Sequence, residues 1–314
     1  MLSLDQVTVT FEPVGAVGAK RPFRAVDDVS LTIGEGEIIG LVGESGSGKT
    51  TLGKAVLGLV PTSGGRIVYR GRDITGLSHA ALGKARRELQ MVFQDPLSSF
   101  NPRHSIRRAL ATPLRIHNLV PPEGIDAAIA DLLTQVGLPA SFMTSFPHEM
   151  SGGQLQRVAI ARALALQPSM IVADEAVSKL DVSVRAQILN LLKAIHARSR
   201  LTMIFITHDL HVARFLCDRI GVMYFGKLVE IGRTEDIFAA PRHPYTEALL
   251  GTIDKGRAAE ADLDLRRPDL TFPGCRYYQR CRFRLDACRE AHPPLEARSP
   301  GHEVACFRNI SPSA

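Results

Sequence analysis

The chain predicts an α/β fold built on a parallel sheet, and three observations carry that prediction. A short apolar run at 38–42 leads into the glycine-rich stretch Gly43-Glu-Ser-Gly46-Ser-Gly48-Lys49-Thr50 and then a helical segment. Further short apolar runs, at 90–93, 170–173 and 203–206, are separated by segments of helical period. Each run is closely followed by a residue suited to chemistry: Gln94, the pair Asp174-Glu175, and His208. Strands that alternate with helices pair in parallel. Functional groups gather at the carboxyl ends of such strands.

Taken in order, residues 4–11 alternate in polarity and predict a strand. Residues 26–33 predict a second, closed by the turn Gly34-Glu-Gly36. The run 38–42 is apolar throughout, as a strand buried on both faces requires. A helix follows from about 50 to 59, stopped by Pro61 and Gly64-Gly65. Residues 90–93 predict the next strand. Between about 96 and 150 the character changes. Leu110, Leu114, Ile129, Leu132, Leu133 and Val136 recur at helical spacing and predict a helical subdomain, taken as about 96–158. A helix over 154–166, a strand over 170–173, a helix over 186–195 and a strand over 203–206 complete the alternation. Beyond about 234, Pro241, Pro244, Pro268, Pro273, Pro293, Pro294 and Pro300 break the pattern. The expected organisation is one domain over 1–234 and a C-terminal extension over 235–314.

Composition narrows the function classes. A chain of 314 residues, 45% hydrophobic, can bury one large core and carry an appendage. No apolar run reaches the ~18 residues of a membrane span. The start, MLSLDQVTVTF, lacks the basic and apolar regions of a signal peptide, so export is not expected. A net charge of +6 permits contact with an anionic membrane surface or an acidic partner. It is too small to mark a nucleic-acid-binding protein.

The stretch 43–50 fits G-x-x-x-x-G-K-[ST], a loop whose backbone N–H groups close around phosphates. The helix after it presents its positive end to them. Gly43, Ser45, Gly46, Gly48, Lys49, Thr50 and Thr51 are the candidate contacts. Lys49 is assigned to the β- and γ-phosphates, and the Thr50 hydroxyl to Mg²⁺. Asp174 is assigned to Mg²⁺. Glu175 is assigned to the attacking water as general base. Ser151-Gly152-Gly153-Gln154 forms a second glycine-rich turn opening a helical run.

These motifs in this order resemble the ATP-binding subunits of ABC transporters, and the resemblance covers nearly the whole chain. Gly43 to Thr50 corresponds to Walker A, Gln94 to the Q-loop and Ser151 to Gln154 to the signature motif. Asp174-Glu175 corresponds to the end of Walker B, Ser178-Lys179-Leu180-Asp181 to the D-loop, and His208 to the switch histidine. The resemblance implies a P-loop ABC ATPase domain, with a RecA-like core, antiparallel strands and a helical subdomain. It implies ATP and Mg²⁺ as ligands, with Gln94 joining Thr50 and Asp174 at the metal. Gln94, Glu175 and His208 are then the catalytic group. It also implies a nucleotide-sandwich dimer in which Ser151, Gly152 and Gly153 donate to the γ-phosphate of the other subunit's ATP, with Ser151, Gly153 and Gln154 counted among the nucleotide-binding residues. One departure stands out: Lys179 occupies a D-loop position that is usually small. It could contact phosphate, pair with a partner carboxylate, or weaken closure. Phe23 and Phe11 are candidates to stack on adenine, with a core or strand-packing role as the other reading.

Three segments resemble the oligopeptide/dipeptide permease subfamily more narrowly. They are Val92-Phe-Gln-Asp-Pro-Leu-Ser-Ser-Phe-Asn-Pro102, Leu180-Asp-Val-Ser-Val-Arg-Ala-Gln-Ile-Leu-Asn190 and Pro241-Arg-His-Pro-Tyr245-Thr246. That resemblance implies a second ATPase subunit, identical or paralogous, and two transmembrane permease subunits. An extracytoplasmic solute-binding protein takes part indirectly, nucleic acid does not, and the place is peripheral on the cytoplasmic face of the plasma or inner membrane. Phe100, Asn101 and Arg103 are candidate permease contacts. The alternatives are a soluble ABC ATPase not tied to transport, and a metal-binding regulatory module with a degenerate motor.

Cysteine is clustered. Cys217 stands alone and reads as a small buried apolar residue. Cys275, Cys281, Cys288 and Cys306 fall together near the end. Their spacing lacks the two-residue gaps of common zinc ribbons. It resembles the C-terminal cysteine motif of the permease subfamily, which in some members holds a [4Fe–4S] cluster. Structural zinc and unmetallated thiols are the other readings. Arg276, Arg280, Arg282 and Arg284 are expected to offset cluster charge and lower the thiol pKa values.

Overall fold

The computed structural model describes residues 1–12, 22–254 and 272–308. It has two compact units. Unit 1 comprises Met1–Ile33, Ile38–Gly76 and Thr207–Ala314, and unit 2 comprises Gly34–Glu37 and Leu77–Ile206.

Unit 1 opens with strands β1 (Leu2–Phe11) and β2 (Phe23–Ile33), paired antiparallel. Leu2, Leu4, Val7 and Val9 are all buried, and the alternation changes phase at a register shift between Leu4 and Val7, where Gln6 has φ 50°. Strand β3 (Ile38–Val42) is buried at all five positions, and helix α1 (Lys49–Val56) follows the glycine loop. Gly64-Gly65, expected only to stop that helix, open strand β4 (Gly64–Tyr69). A register shift between Asp5 and Thr8 in the β1–β4 pairing accommodates them. With β5 (Arg72–Asp73) the four strands form a sheet in the order β2-β1-β4-β5.

Unit 2 continues with α2 (His79–Glu88), β6 (Leu89–Val92), α3 (Ile106–Ile116), α4 (Ile125–Gln135) and α5 (Gly152–Leu164). It ends with β7 (Met170–Asp174), α6 (Val182–Ser199) and β8 (Thr202–Thr207). Strands β6, β7 and β8 pair in parallel, with Val92 opposite Ala173 and Asp174 opposite Ile206. The six apolar residues that predicted the helical subdomain are all buried. Helix α6 starts earlier than expected because Asp181 caps it, accepting the Val184 N–H at 2.9 Å.

The chain returns to unit 1 with α7 (Leu210–Leu216), β9 (Arg219–Tyr224), β10 (Lys227–Arg233), α8 (Thr234–Ala239) and α9 (Pro244–Asp254). A short α10 (Ala287–Glu290) precedes β11 (Glu296–Ser299) and β12 (His302–Val304). Strand β9 pairs in parallel with β3 and antiparallel with β10. Strand β12 then adds to β10, with Val304 opposite Glu230, and β11 follows it. Residues of the expected extension therefore share a sheet with residues 38–42. The buried Glu230 carboxylate fixes this join. It accepts the backbone N–H of Arg242 at 2.7 Å and of His243 at 2.9 Å, and meets His302 Nε2 at 2.7 Å. Cys217 is buried, with Sγ 2.9 Å from where a Cβ on Gly40 would lie, in keeping with its apolar reading.

Candidate functional site

The glycine loop of unit 1 is closed around its own lysine. Lys49 is buried, and its Nζ donates to Gly43 O and Glu44 O at 2.8 Å each and to Ser47 Oγ at 3.1 Å. Gly48 is the N-cap of α1 at φ 102°, and a Cβ there would lie 2.2 Å from Ala25 O. Both the left-handed backbone and the lack of room demand glycine. No side chain caps α1. That arrangement leaves a helix N-terminus to an anion. Ser45 and Gly46 are exposed, while Thr50 and Thr51 are half-buried on the first turn. The β9–β10 turn props the loop from behind: Gly226 N–H donates to Ser47 O at 2.8 Å, and Asp27 N–H donates to Gly226 O at 2.9 Å.

In unit 2 the structure brings Gln94 and Glu175 together. Gln94 Nε2 donates to Glu175 Oε2 at 2.8 Å. Glu175 has φ 45°, an uncommon backbone for a residue with a side chain. Its N–H is held by Ile206 O at 3.0 Å, and its own carbonyl accepts from Ser178 N at 3.1 Å and Ser178 Oγ at 3.0 Å. Asp174, one residue earlier, is buried at the end of β7.

The signature turn is a capping box. Ser151 Oγ accepts the Gln154 N–H at 3.3 Å, and Gln154 Oε1 accepts the Ser151 N–H at 2.9 Å. The Gln154 side chain, expected to meet nucleotide, here closes its own helix. Gly153 is buried, and a Cβ on it would lie 2.3 Å from Val184 Cγ1, so close contact between α5 and α6 also requires glycine. The D-loop Lys179 has a carboxylate within its own chain, Asp95 Oδ2 at 4.0 Å, and both side chains are about half exposed.

Two aromatic expectations read differently in the structure. Phe100 is buried, with the Arg162 guanidinium 4.2 Å above its ring, and so offers no docking surface. Arg162 also donates to Ser99 O at 2.7 Å and Ser99 Oγ at 2.9 Å, and its burial lowers its pKa. Asn101 and Arg103 remain exposed. Phe23 and Phe11 face each other across the β1–β2 pair and are both exposed, which sets aside a core role for either. His208 is exposed directly before α7, whose N-cap is Asp209.

All four C-terminal cysteines are free, and all line one pocket in unit 1 with His243, Pro244, Tyr277, Phe283 and Arg308. Among the described residues, no three His, Cys, Asp or Glu side chains are gathered to hold a metal ion. The expectation of lowered thiol pKa values fails. Burial pushes Cys275 up to about 12 and raises Cys281 and Cys306 as well. Three of the four arginines pair elsewhere, and the Arg284 guanidinium lies 5.7 Å from the centre of the Tyr278 ring. Arg276 binds Asp27 and Phe225 O, Arg280 pairs with Glu44 at 3.4 Å, and Arg282 with Glu247 at 3.8 Å. Arg308 is the arginine that acts to lower Cys281 and Cys306, and burial outweighs it. Sequence reasoning also missed Tyr245 and Glu44: Tyr245 Oη accepts the Glu44 N–H inside the phosphate loop at 2.9 Å. The signal was the His-Pro-Tyr run, read only as a subfamily marker.

Residues 26–178 match the ABC transporter family, and residues 229–288 match the oligopeptide/dipeptide transporter C-terminal region. The Bacillus subtilis protein YkfD is 42% identical over 320 residues, covering 98% of this chain and 96% of its own. The chain belongs to the ABC transporter ATP-binding proteins. The oligopeptide transport ATP-binding protein AppF of Bacillus subtilis is 41% identical, over 90% of this chain and 89% of its own length. Among solved structures, the ATP-binding cassette MJ0796, a dimer in a post-hydrolysis state bound to ADP and Pi, superposes with a TM-score of 0.67. It is 30% identical and covers 74% of this chain and 99% of its own. The fold is the P-loop ABC ATPase fold expected, and the chain is an ATPase coupled to transport. No helix among the described residues is long and apolar enough to cross a membrane.

Proposed function

We propose that this ABC ATPase energises import of di- or oligopeptides, as one of two ATPase subunits acting on two transmembrane permeases from the cytoplasmic face of the membrane. The match of residues 229–288 to the oligopeptide/dipeptide transporter C-terminal region carries the peptide reading. In this reading Lys49 binds the β- and γ-phosphates of ATP, and the α1 N-terminus supports them. Glu175 takes the proton of the attacking water, and Gln94, already on its carboxylate at 2.8 Å, orients that group. Thr50, Asp174 and Gln94 would hold Mg²⁺, which neutralises phosphate charge when bound. Ser151, Gly153 and Gln154 serve the second subunit's ATP. The Ser151 hydroxyl can still donate its proton while its oxygen caps α5.

The test is ATP turnover after co-expression with the permeases of its own operon in nanodiscs. Turnover raised by a peptide-loaded binding protein supports the reading, and turnover indifferent to permeases and peptide sinks it.

The cluster reading for the four thiols rests on the likeness of their spacing to the permease subfamily's C-terminal cysteine motif and on their place around one pocket. Among the described residues no three candidate ligands are gathered for a metal ion. Cys275, Cys281, Cys288 and Cys306 would hold a [4Fe–4S] cluster, a structural group rather than a catalytic one. Burial raises three of these thiols, so binding a metal group there as thiolates would release protons. Cys281→Ser should abolish the brown colour and acid-labile sulfide of anaerobically purified protein. Full iron content in that variant would remove the cluster.

A further inference from the structure

We propose that Tyr245 and Arg280, both from the C-terminal residues, are positioning residues of the phosphate loop and act on it through Glu44. The proposal rests on reading residues 43–51 as the loop that holds ATP phosphates.

Glu44 occupies a position that G-x-x-x-x-G-K-[ST] leaves open. In the structure every polar group it has is engaged. Its carbonyl accepts from Lys49 Nζ at 2.8 Å and from Ser47 N–H at 3.2 Å. Its carboxylate meets Arg280 Nη1 at 3.4 Å. Its N–H donates to Tyr245 Oη at 2.9 Å.

The Gly43–Glu44 peptide is the decisive unit. A trans peptide is planar, with N–H and C=O pointing in opposite directions. Tyr245 holds the N–H of this peptide, and Lys49 donates to its C=O at 2.8 Å. The plane is gripped from both sides. Releasing the N–H lets the peptide rotate and takes with it the carbonyl that places the Lys49 ammonium.

Tyr245 is built to be a fixed point. It is 1% exposed. Its ring lies 4.6 Å from that of Tyr224 and 5.5 Å from that of Tyr277, centroid to centroid. Tyr224 ends β9, the strand that pairs in parallel with β3, and β3 delivers the loop. Burial pushes the Tyr245 hydroxyl far above its ordinary pKa, so it stays neutral. Arg280 is similarly enclosed, its side chain 10% exposed, on the turn Tyr278–Arg280 between Cys275 and Cys281. The pocket lined by the cysteines and the loop that holds phosphate are thus joined through one arginine and one tyrosine cluster.

The experiment is titration of the full chain with a fluorescent ATP analogue and Mg²⁺, alongside thermal unfolding of each variant. Losing one hydrogen bond predicts that Tyr245→Phe weakens nucleotide affinity about 2- to 12-fold. Arg280→Gln should weaken it less, about 2- to 5-fold, and Arg280→Lys should recover part of that loss. In a Glu44→Gln background, Arg280→Gln should cost nothing further, because both changes break the same contact. Unchanged affinity in both Tyr245→Phe and Arg280→Gln overturns the proposal, as does a lowered melting temperature with affinity intact, or fully additive losses with Glu44→Gln. A wild-type chain without nucleotide affinity, or Lys49→Ala with full affinity, overturns the phosphate-loop reading instead.

Discussion

The two glycine-rich turns look alike in sequence and differ in construction. Both open a helix. The first, before α1, has a glycine N-cap at φ 102° and no side-chain cap. Its lysine is folded onto backbone carbonyls of the loop itself. The second, before α5, is finished locally: Ser151 and Gln154 cap each other. The first turn is shaped to receive something. The second is stable as it stands, and its serine hydroxyl has only a proton left to offer. Its glycine Gly153 is dictated as much by Val184 as by any ligand.

Replacing Lys49 is the harshest way to probe this difference. Loss of several charge-assisted hydrogen bonds predicts that Lys49→Ala weakens ATP affinity about 10²-fold or more, read by equilibrium nucleotide binding. Glu175→Gln tests the unit 2 side. It should retain ATP binding, lower turnover by about 10²-fold or more, and accumulate a closed dimer on size-exclusion chromatography with ATP. Undiminished turnover would take the general-base role from Glu175. Gly153→Ala sharpens the comparison. Overpacking against Val184 should cost about 1–3 kcal/mol in denaturant unfolding, and a second change, Val184→Ala, should restore most of it. A glycine needed for its backbone conformation could not be rescued in that way. The smallest effect belongs to Lys179→Ala. A surface pair with Asp95 at 4.0 Å predicts a stability change under about 0.5 kcal/mol. A several-fold change in turnover would instead put Lys179 at the phosphates.

What was legible in the sequence was local. The phosphate loop, the Asp174-Glu175 strand end and the Ser151 turn each depend on residues a few positions apart, so their spacing alone reveals them. The apolar run at 38–42 emerged as β3 for the same reason. The illegible parts are choices of distant partner. Arg276 finds Asp27, 249 positions away, and Arg280 finds Glu44, 236 positions away. Near four cysteines, both looked like charge for thiolates. Phe100 looked available beside polar neighbours, but Arg162, 62 residues on, covers its ring. Helix ends shifted where a cap overrode hydrophobic period, as at Asp181.

The join at Glu230 has a consequence for the order in which the chain can mature. Unit 1 is written in three pieces, and its strand β10 receives β12 only once residues 302–304 exist. As the ribosome delivers residue 230, its carboxylate has no His302 to meet, and the edge of β10 is open for pairing with any other strand. A nascent chain in this state is exposed to aggregation until residues 302–304 have been made and have folded onto β10. A stop codon before residue 302 would therefore remove more than a cysteine pocket. It would leave a buried acid without its histidine and a sheet without its outer strands, a product for proteases rather than a smaller ATPase.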